Sequence, residues 1–135
     1  MKHKFYFQLT AMTALLLALP ARAEVVVVVN PKNSVTTMTA DQVSQLFLGK
    51  SNDLAPIDQN DAGMRTEFYK KVTDKDVSQV KAIWSKLVFT GKATLPKEVA
   101  NSAEAKKAVA ADPKAISYID KSAVDGTVKV VLTMP

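Results

Sequence analysis

Asp58 and Asp61, three positions apart in the segment PIDQND, come nearest to side chains whose spacing could do chemistry. Two carboxylates that close can divide the work of general acid and general base, or share a hard cation. The pair would need a further acidic group beside it to act as a hydrolase, and Asp at the start of a helical stretch is ordinarily a cap. Other chemistries are excluded more directly. The chain has no cysteine, and its single histidine is His3. Once the first residues are set aside there is no imidazole or thiolate for a His-assisted nucleophile or for a zinc or copper site. The four glycines form neither a phosphate-cradling lysine loop nor a dinucleotide fingerprint. The expectation is a non-enzyme without cofactor or metal.

Residues 1–23 are read apart from the rest. Lys2 and Lys4 precede an apolar run from Leu9 to Leu19, and Pro20 leads to Ala21-Arg22-Ala23. A basic start, a short apolar stretch and an A-x-A end together describe a cleavable secretory signal. The run falls short of the ~20 apolar residues that span a bilayer. The expectation is therefore a periplasmic domain over residues 24–135, with no membrane anchor after cleavage, no lipid-bearing cysteine and no disulfide.

That division changes the charge. The whole chain carries +5, but Lys2, Lys4 and Arg22 leave with the signal, so 15 basic residues face 13 acidic ones, a net +2. So small a charge on mixed-sign helices gives little potential for tracking a phosphate backbone, and nucleic-acid binding is not expected.

Five consecutive valines, Val25 to Val29, form a β-branched run without alternation, so both faces of that strand are expected to be buried. Asn30-Pro31 stops it, and a hydroxyl- and amide-rich loop covers 30–38. Thr39-x-x-Gln42 is a capping box for a helix over about 40–48, which Gly49 ends. Residues 54–58 read as a short strand whose Pro56 suits a strand end or an edge. The turn Gln59-Asn60-Asp61 leads to a second helix over about 63–72, with Phe68 and Val72 inward. Thr73-x-x-Asp76 is read as the cap of a third helix over about 75–88, whose stripe Val77, Val80, Ile83, Trp84 and Leu87 has core-facing spacing. Trp84 and Phe89 are assigned to the core. Asn101-x-x-Glu104 caps a fourth helix that Pro113 ends, and residues 115–119 and 127–132 read as the last strands, joined through Asp125-Gly126. Lys70-Lys71 and Lys106-Lys107 are read as solvated helix faces. Alternating strands and helices imply one three-layer α/β domain with a mostly parallel sheet.

Several segments together resemble one family. VVVVVNPKNSVTTMTADQVSQLFLGK (25–50) resembles the opening of the second lobe of phosphate ABC-transporter substrate-binding proteins. PIDQNDAGMRTEFY (56–69) lies where that family places a strand, a Ser-Gly-Thr-Arg turn and a Phe-bearing helix. IWSKLVFTGK (83–92) and KAISYID (114–120) are similar to its Trp…Phe-Thr-Gly and Gly-Tyr-Val segments, in order. The resemblance covers nearly all of 24–135 and implies a single lobe of the type 2 periplasmic-binding-protein fold.

It also implies a ligand, a small oxyanion such as phosphate held at a helix N-terminus, with an ABC permease as a further partner. Free N–H groups and the helix dipole favour an anion there. Transferred residue by residue, the site comprises Gly63, Met64 and Arg65, with Ser34, Thr36 and Thr37 as replacement hydroxyls from the loop. Arg65 is the only arginine in 24–135, beside 14 lysines, and a guanidinium fork matches two oxyanion oxygens at once. The pattern departs from the family at Ala62 and Met64, where its hydroxyl donors fall, and at Asp58, where its strand arginine falls. One lobe also lacks the second wall of a cleft. Self-association, or a protein-interaction module that kept the lobe but lost phosphate binding, is the alternative.

Overall fold

A computed structural model of the protein describes residues 24–134. The proposed signal lies outside the described residues. In chain order the elements are β1 (Val25–Val29), α1 (Ala40–Phe47), β2 (Ala55–Gln59), α2 (Ala62–Thr73), α3 (Val77–Phe89), β3 (Lys97–Val99), α4 (Ser102–Ala111), β4 (Ala115–Asp120) and β5 (Lys129–Met134). The sheet order is β3-β2-β4-β1-β5. β2 is parallel to β3 and β4, while β1 is antiparallel to β4 and β5. Four strands therefore share one direction and β1 alone opposes them, which is the mostly parallel sheet expected.

The valine run explains the layering. Val25, Val27 and Val29 face a core built with α1, α2 and α3, whereas Val26 and Val28 face a second core closed by α4. All five are at most 1% exposed. A strand with no polar face can sit only between two helical layers.

Helix starts follow their caps. Thr39 and Gln42 make the reciprocal box of α1, and Asn101 Oδ1 accepts from Glu104 N at 3.0 Å. The third helix departs from expectation. Its cap is Asp76, boxed with Gln79, while Thr73 is the last residue of α2 and donates its hydroxyl to Tyr69 O at 2.6 Å. Asp74, at φ 55°, turns the chain between the two helices.

One further departure concerns a strand. β3 was not expected at all; three residues between Pro96 and a cap carry too little pattern to register. Pro56 is the second residue of β2, at a strand end as expected, although β2 itself is an interior strand. Ala55 N–H donates to Lys114 O on the β4 side, so the Pro56 nitrogen faces the other way by alternation. β3 pairs only from Ile57 onward, so no ladder bond is lost there.

Trp84 is buried as expected, and its Nε1–H donates to Phe47 O at 2.8 Å. Phe89 is not core: it is 92% exposed. Two positions beyond Leu87 it stands about 200° around the helix, on the side away from the apolar stripe.

Candidate functional site

β2 ends on two buried polar residues, Asp58 and Gln59, which are 4% and 0% exposed. Desolvating a carboxylate is costly unless it is paired and hydrogen-bonded, and Asp58 is both. Its Oδ1 accepts from the Gln59 backbone N–H at 2.9 Å and, in a very short bond, from the Tyr118 hydroxyl. Its Oδ2 accepts from the Tyr69 hydroxyl at 2.8 Å and lies 3.2 Å from Arg65 Nη2. The same Nη2 lies 3.4 Å from Glu98 Oε1 on β3. One guanidinium nitrogen thus links carboxylates on two neighbouring strands.

The aromatic packing sets these hydroxyls in place. Phe68 and Tyr118 stack with centroids 3.9 Å apart, and Phe47 packs edge-on against Phe68 at 4.7 Å. Burial, and then the Asp58 charge, push both tyrosine hydroxyls far above their ordinary pKa of 10.0. They remain neutral donors throughout the physiological range.

Beside Arg65 opens a cleft of about 490 Å³, walled by Lys81, Trp84 and Ser85 of α3 and by Leu95 and Pro96. Its charged groups are Asp58, Glu98, Arg65 and Lys81, which cancel. Arg65 Nε is buried there with no partner.

The start of α2 is already occupied. Asp61 is its N-cap, with Oδ1 accepting from Met64 N at 3.1 Å. The Met64 side chain lies in the core, 6% exposed, so it offers nothing to a ligand. Gly63 is exposed at a position where an added Cβ would meet only Asp61 Oδ1, at 3.7 Å. Its lack of a side chain is not forced by the local packing.

Ser34, Thr36 and Thr37 are exposed, but they belong to another part of the molecule. Their loop is fastened along the far edge of the sheet. Asn33 Nδ2 donates to Pro113 O at 3.2 Å, Lys129 Nζ donates to Asn33 O, and Met38 N–H donates to Val131 O at 2.9 Å. β5 lies three strand spacings from β2, ~14 Å, whereas Arg65 bridges β2 and β3. The structure therefore separates the two halves of the expected site.

Sequence reasoning missed Glu98, Tyr69 and Tyr118. The tyrosines stood in segments read only as helix and strand, and Glu98 stood in a stretch given no element. Glu98 is the second acid that carboxylate chemistry at Asp58 would require, but Arg65 stands between the two. Among the described residues, no group of three His, Cys, Asp or Glu side chains is placed to hold a metal ion. Nor is any helix among them long and apolar enough to cross a membrane.

A three-layer domain with this strand order has the architecture of one lobe of a periplasmic-binding protein. Solved structures bear out that likeness. An ABC-type phosphate transport receptor from Vibrio cholerae superposes with a TM-score of 0.65 at 21% identity, over 80% of this chain and 45% of the receptor. A putative phosphate ABC transporter substrate-binding protein from Clostridium perfringens, solved with bound phosphate, gives 0.63 at 21% identity, over 80% and 44%. The chain thus spans less than half the length of the structures it matches. No protein-family model and no curated protein sequence matches it.

Proposed function

We propose that this chain is a non-catalytic periplasmic module with the fold of one substrate-binding lobe, working by association rather than as a free-standing phosphate receptor. The observation that carries this reading is the double engagement of Arg65. The one guanidinium of residues 24–135 is held by Asp58 and Glu98, so an incoming oxyanion would have to displace a carboxylate. The two family hydroxyl positions are Ala62 and Met64, and the α2 cap is taken by Asp61.

Export to the periplasm rests on the basic, apolar and A-x-A pattern of residues 1–23. The absence of His and Cys from 24–135 supports the non-catalytic part.

A second reading keeps a small oxyanion such as phosphate as ligand at Arg65, with a second copy or an ABC permease completing the site. One observation favours it: Arg65 helps to wall an open cleft, and its buried Nε has no hydrogen-bond partner. Calorimetric titration of phosphate into residues 24–135 at low ionic strength separates the two readings. The association reading expects no heat below millimolar phosphate. Micromolar binding that disappears in Arg65→Ala would replace it with the second reading, and one phosphate per two chains would mean that a second copy supplies the other wall of the site.

A further inference from the structure

The α3 end and the turn after it form a surface that meets the Arg65 cleft at Lys81 and Leu95 and extends beyond it through Lys86, Phe89 and Lys92. From Val77 to Lys97 the chain carries Lys81, Lys86, Lys92 and Lys97 and no acidic residue. All four lysines are exposed, and none takes part in the ion pairs found among the described residues. The net charge of 24–135 is only +2, so this stretch of +4 leaves the rest of the domain negative. Such polarity orients a molecule in an external field.

Large apolar side chains stand in the middle of this charge. Phe89 is 92% exposed, Leu95 66% and Val88 40%. Thr90 caps the end of α3 after Phe89, and Gly91 follows at φ 72°. A nearby depression of about 830 Å³ brings Lys50 and Lys114 to the same side as Lys92 and Lys97, against only Asp53 and Asp112.

We infer that this face docks on an anionic lipid bilayer, with Phe89 and Leu95 entering the interface and the surrounding lysines meeting headgroup phosphates. Charge complementarity selects the partner: unpaired lysines around apolar side chains match a surface that is anionic outside and apolar beneath. Lysine stems can lie along the apolar layer while their ammonium groups stay at the phosphates. The near-complete exposure of Phe89 suits insertion into a fluid layer, because it needs no matching pocket on the other side. The inference is independent of Arg65 and of any oxyanion.

The test is co-sedimentation of residues 24–135 with vesicles of phosphatidylglycerol and phosphatidylcholine in equal parts, against vesicles of phosphatidylcholine alone. This segment holds every strand and helix of the described fold and omits the apolar run 9–19, which would itself enter lipid. Binding to the anionic vesicles is expected to weaken as salt rises. Lys86→Gln combined with Lys92→Gln should weaken it by about 25-fold, fivefold for each charge, and Phe89→Ser by roughly tenfold. Lys121→Gln, at a lysine that pairs with Glu24 and lies outside the 77–97 stretch, should bind vesicles as the unmodified protein does. A Phe89→Trp variant should show a blue-shifted emission on the anionic vesicles, since Trp84 is already buried. No sedimentation, equal binding to both lipids, or an unshifted emission would each overturn the inference. So would light scattering that shows a dimer broken by Phe89→Ser, because the face would then belong to a second copy.

Discussion

Arg65 Nη2 lies 3.2 Å from Asp58 Oδ2, and the two side chains are 13% and 5% exposed. Asp58 would be a buried charge without this partner, and Arg65 would be the natural grip for an oxyanion without Asp58. The contact therefore binds the stability of the fold to the fate of the candidate site. It also accounts for a buried acidic residue at position 58. Here the anion beside the guanidinium is part of the protein.

Arg65→Ala is expected to destabilise the domain by about 3 kcal/mol, the low end for stranding one partner of a buried pair. The low end applies because three hydrogen bonds still hold Asp58. Urea unfolding followed by Trp84 fluorescence measures it. A loss under about 0.5 kcal/mol would class the contact with exposed surface pairs.

Alkaline stability should depend on Tyr69 and Tyr118. Their folded-state pKa values are raised above 10.0, chiefly by burial and then by Asp58. A raised pKa gives stability that is whole below the unfolded value of 10 and declines as pH rises beyond it, because only the unfolded chain then releases those protons. The decline should approach ~1.4 kcal/mol per pH unit for each tyrosine. In the Tyr69→Phe, Tyr118→Phe double variant the alkaline limb should flatten, and thermal melts between pH 9 and pH 11 would show it, on the order of the tyrosine titration range.

Two glycines should respond differently to alanine. Gly49 (φ 75°) has Leu87 Cδ1 at 2.5 Å from where a Cβ would stand, with Trp84 next. Gly91 (φ 72°) has nothing within 4 Å. Gly91→Ala pays only the left-handed backbone cost of ~1 kcal/mol. Gly49→Ala adds displacement of packed core side chains and should lose ~2–3 kcal/mol. Equal losses in thermal denaturation would mean that Leu87 moves aside freely.

Glu98 is the more exposed of the two carboxylates on Arg65, with a side chain 48% exposed. Glu98→Gln removes one negative charge from the cleft and loosens the hold on Nη2. On the second reading, in which Arg65 takes phosphate, affinity at this site should rise by about fivefold relative to the unmodified protein, on the scale of one partly screened charge. The same titration in Glu98→Gln, Arg65→Ala should show no gain. A gain that persists without Arg65 would move the anion to another part of the molecule.

Local order was legible where neighbouring residues alone decide it. Thr39 with Gln42, Asn101 with Glu104, and the Val77-Val80-Trp84 spacing each specify a helix through groups at most a few turns apart. Five valines likewise demand two apolar layers wherever the strand is placed. Phe89 was misassigned because apolar character says nothing of the angle at which a residue leaves its helix. The Thr73 cap was misassigned because Asp76 offers a competing box with Gln79, and the left-handed Asp74 ends α2 between them.

The candidate site depended on distances that sequence spacing does not encode. Ser34 to Thr37 and Gly63 to Arg65 are parted in the chain only by α1 and β2, yet β4 and β1 insert between β2 and β5 and hold them apart. Asp58, Arg65 and Glu98 come from a strand, a helix and a strand separated by up to forty positions, and parallel pairing of β2 with β3 sets Asp58 opposite Glu98. Side-chain chemistry was therefore written in the chain: an arginine, carboxylates, and a basic stretch from Val77 to Lys97. Which charges meet and which stay free was decided by the strand order, because burial on folding forces each ionised group that leaves water to find its counter-charge nearby.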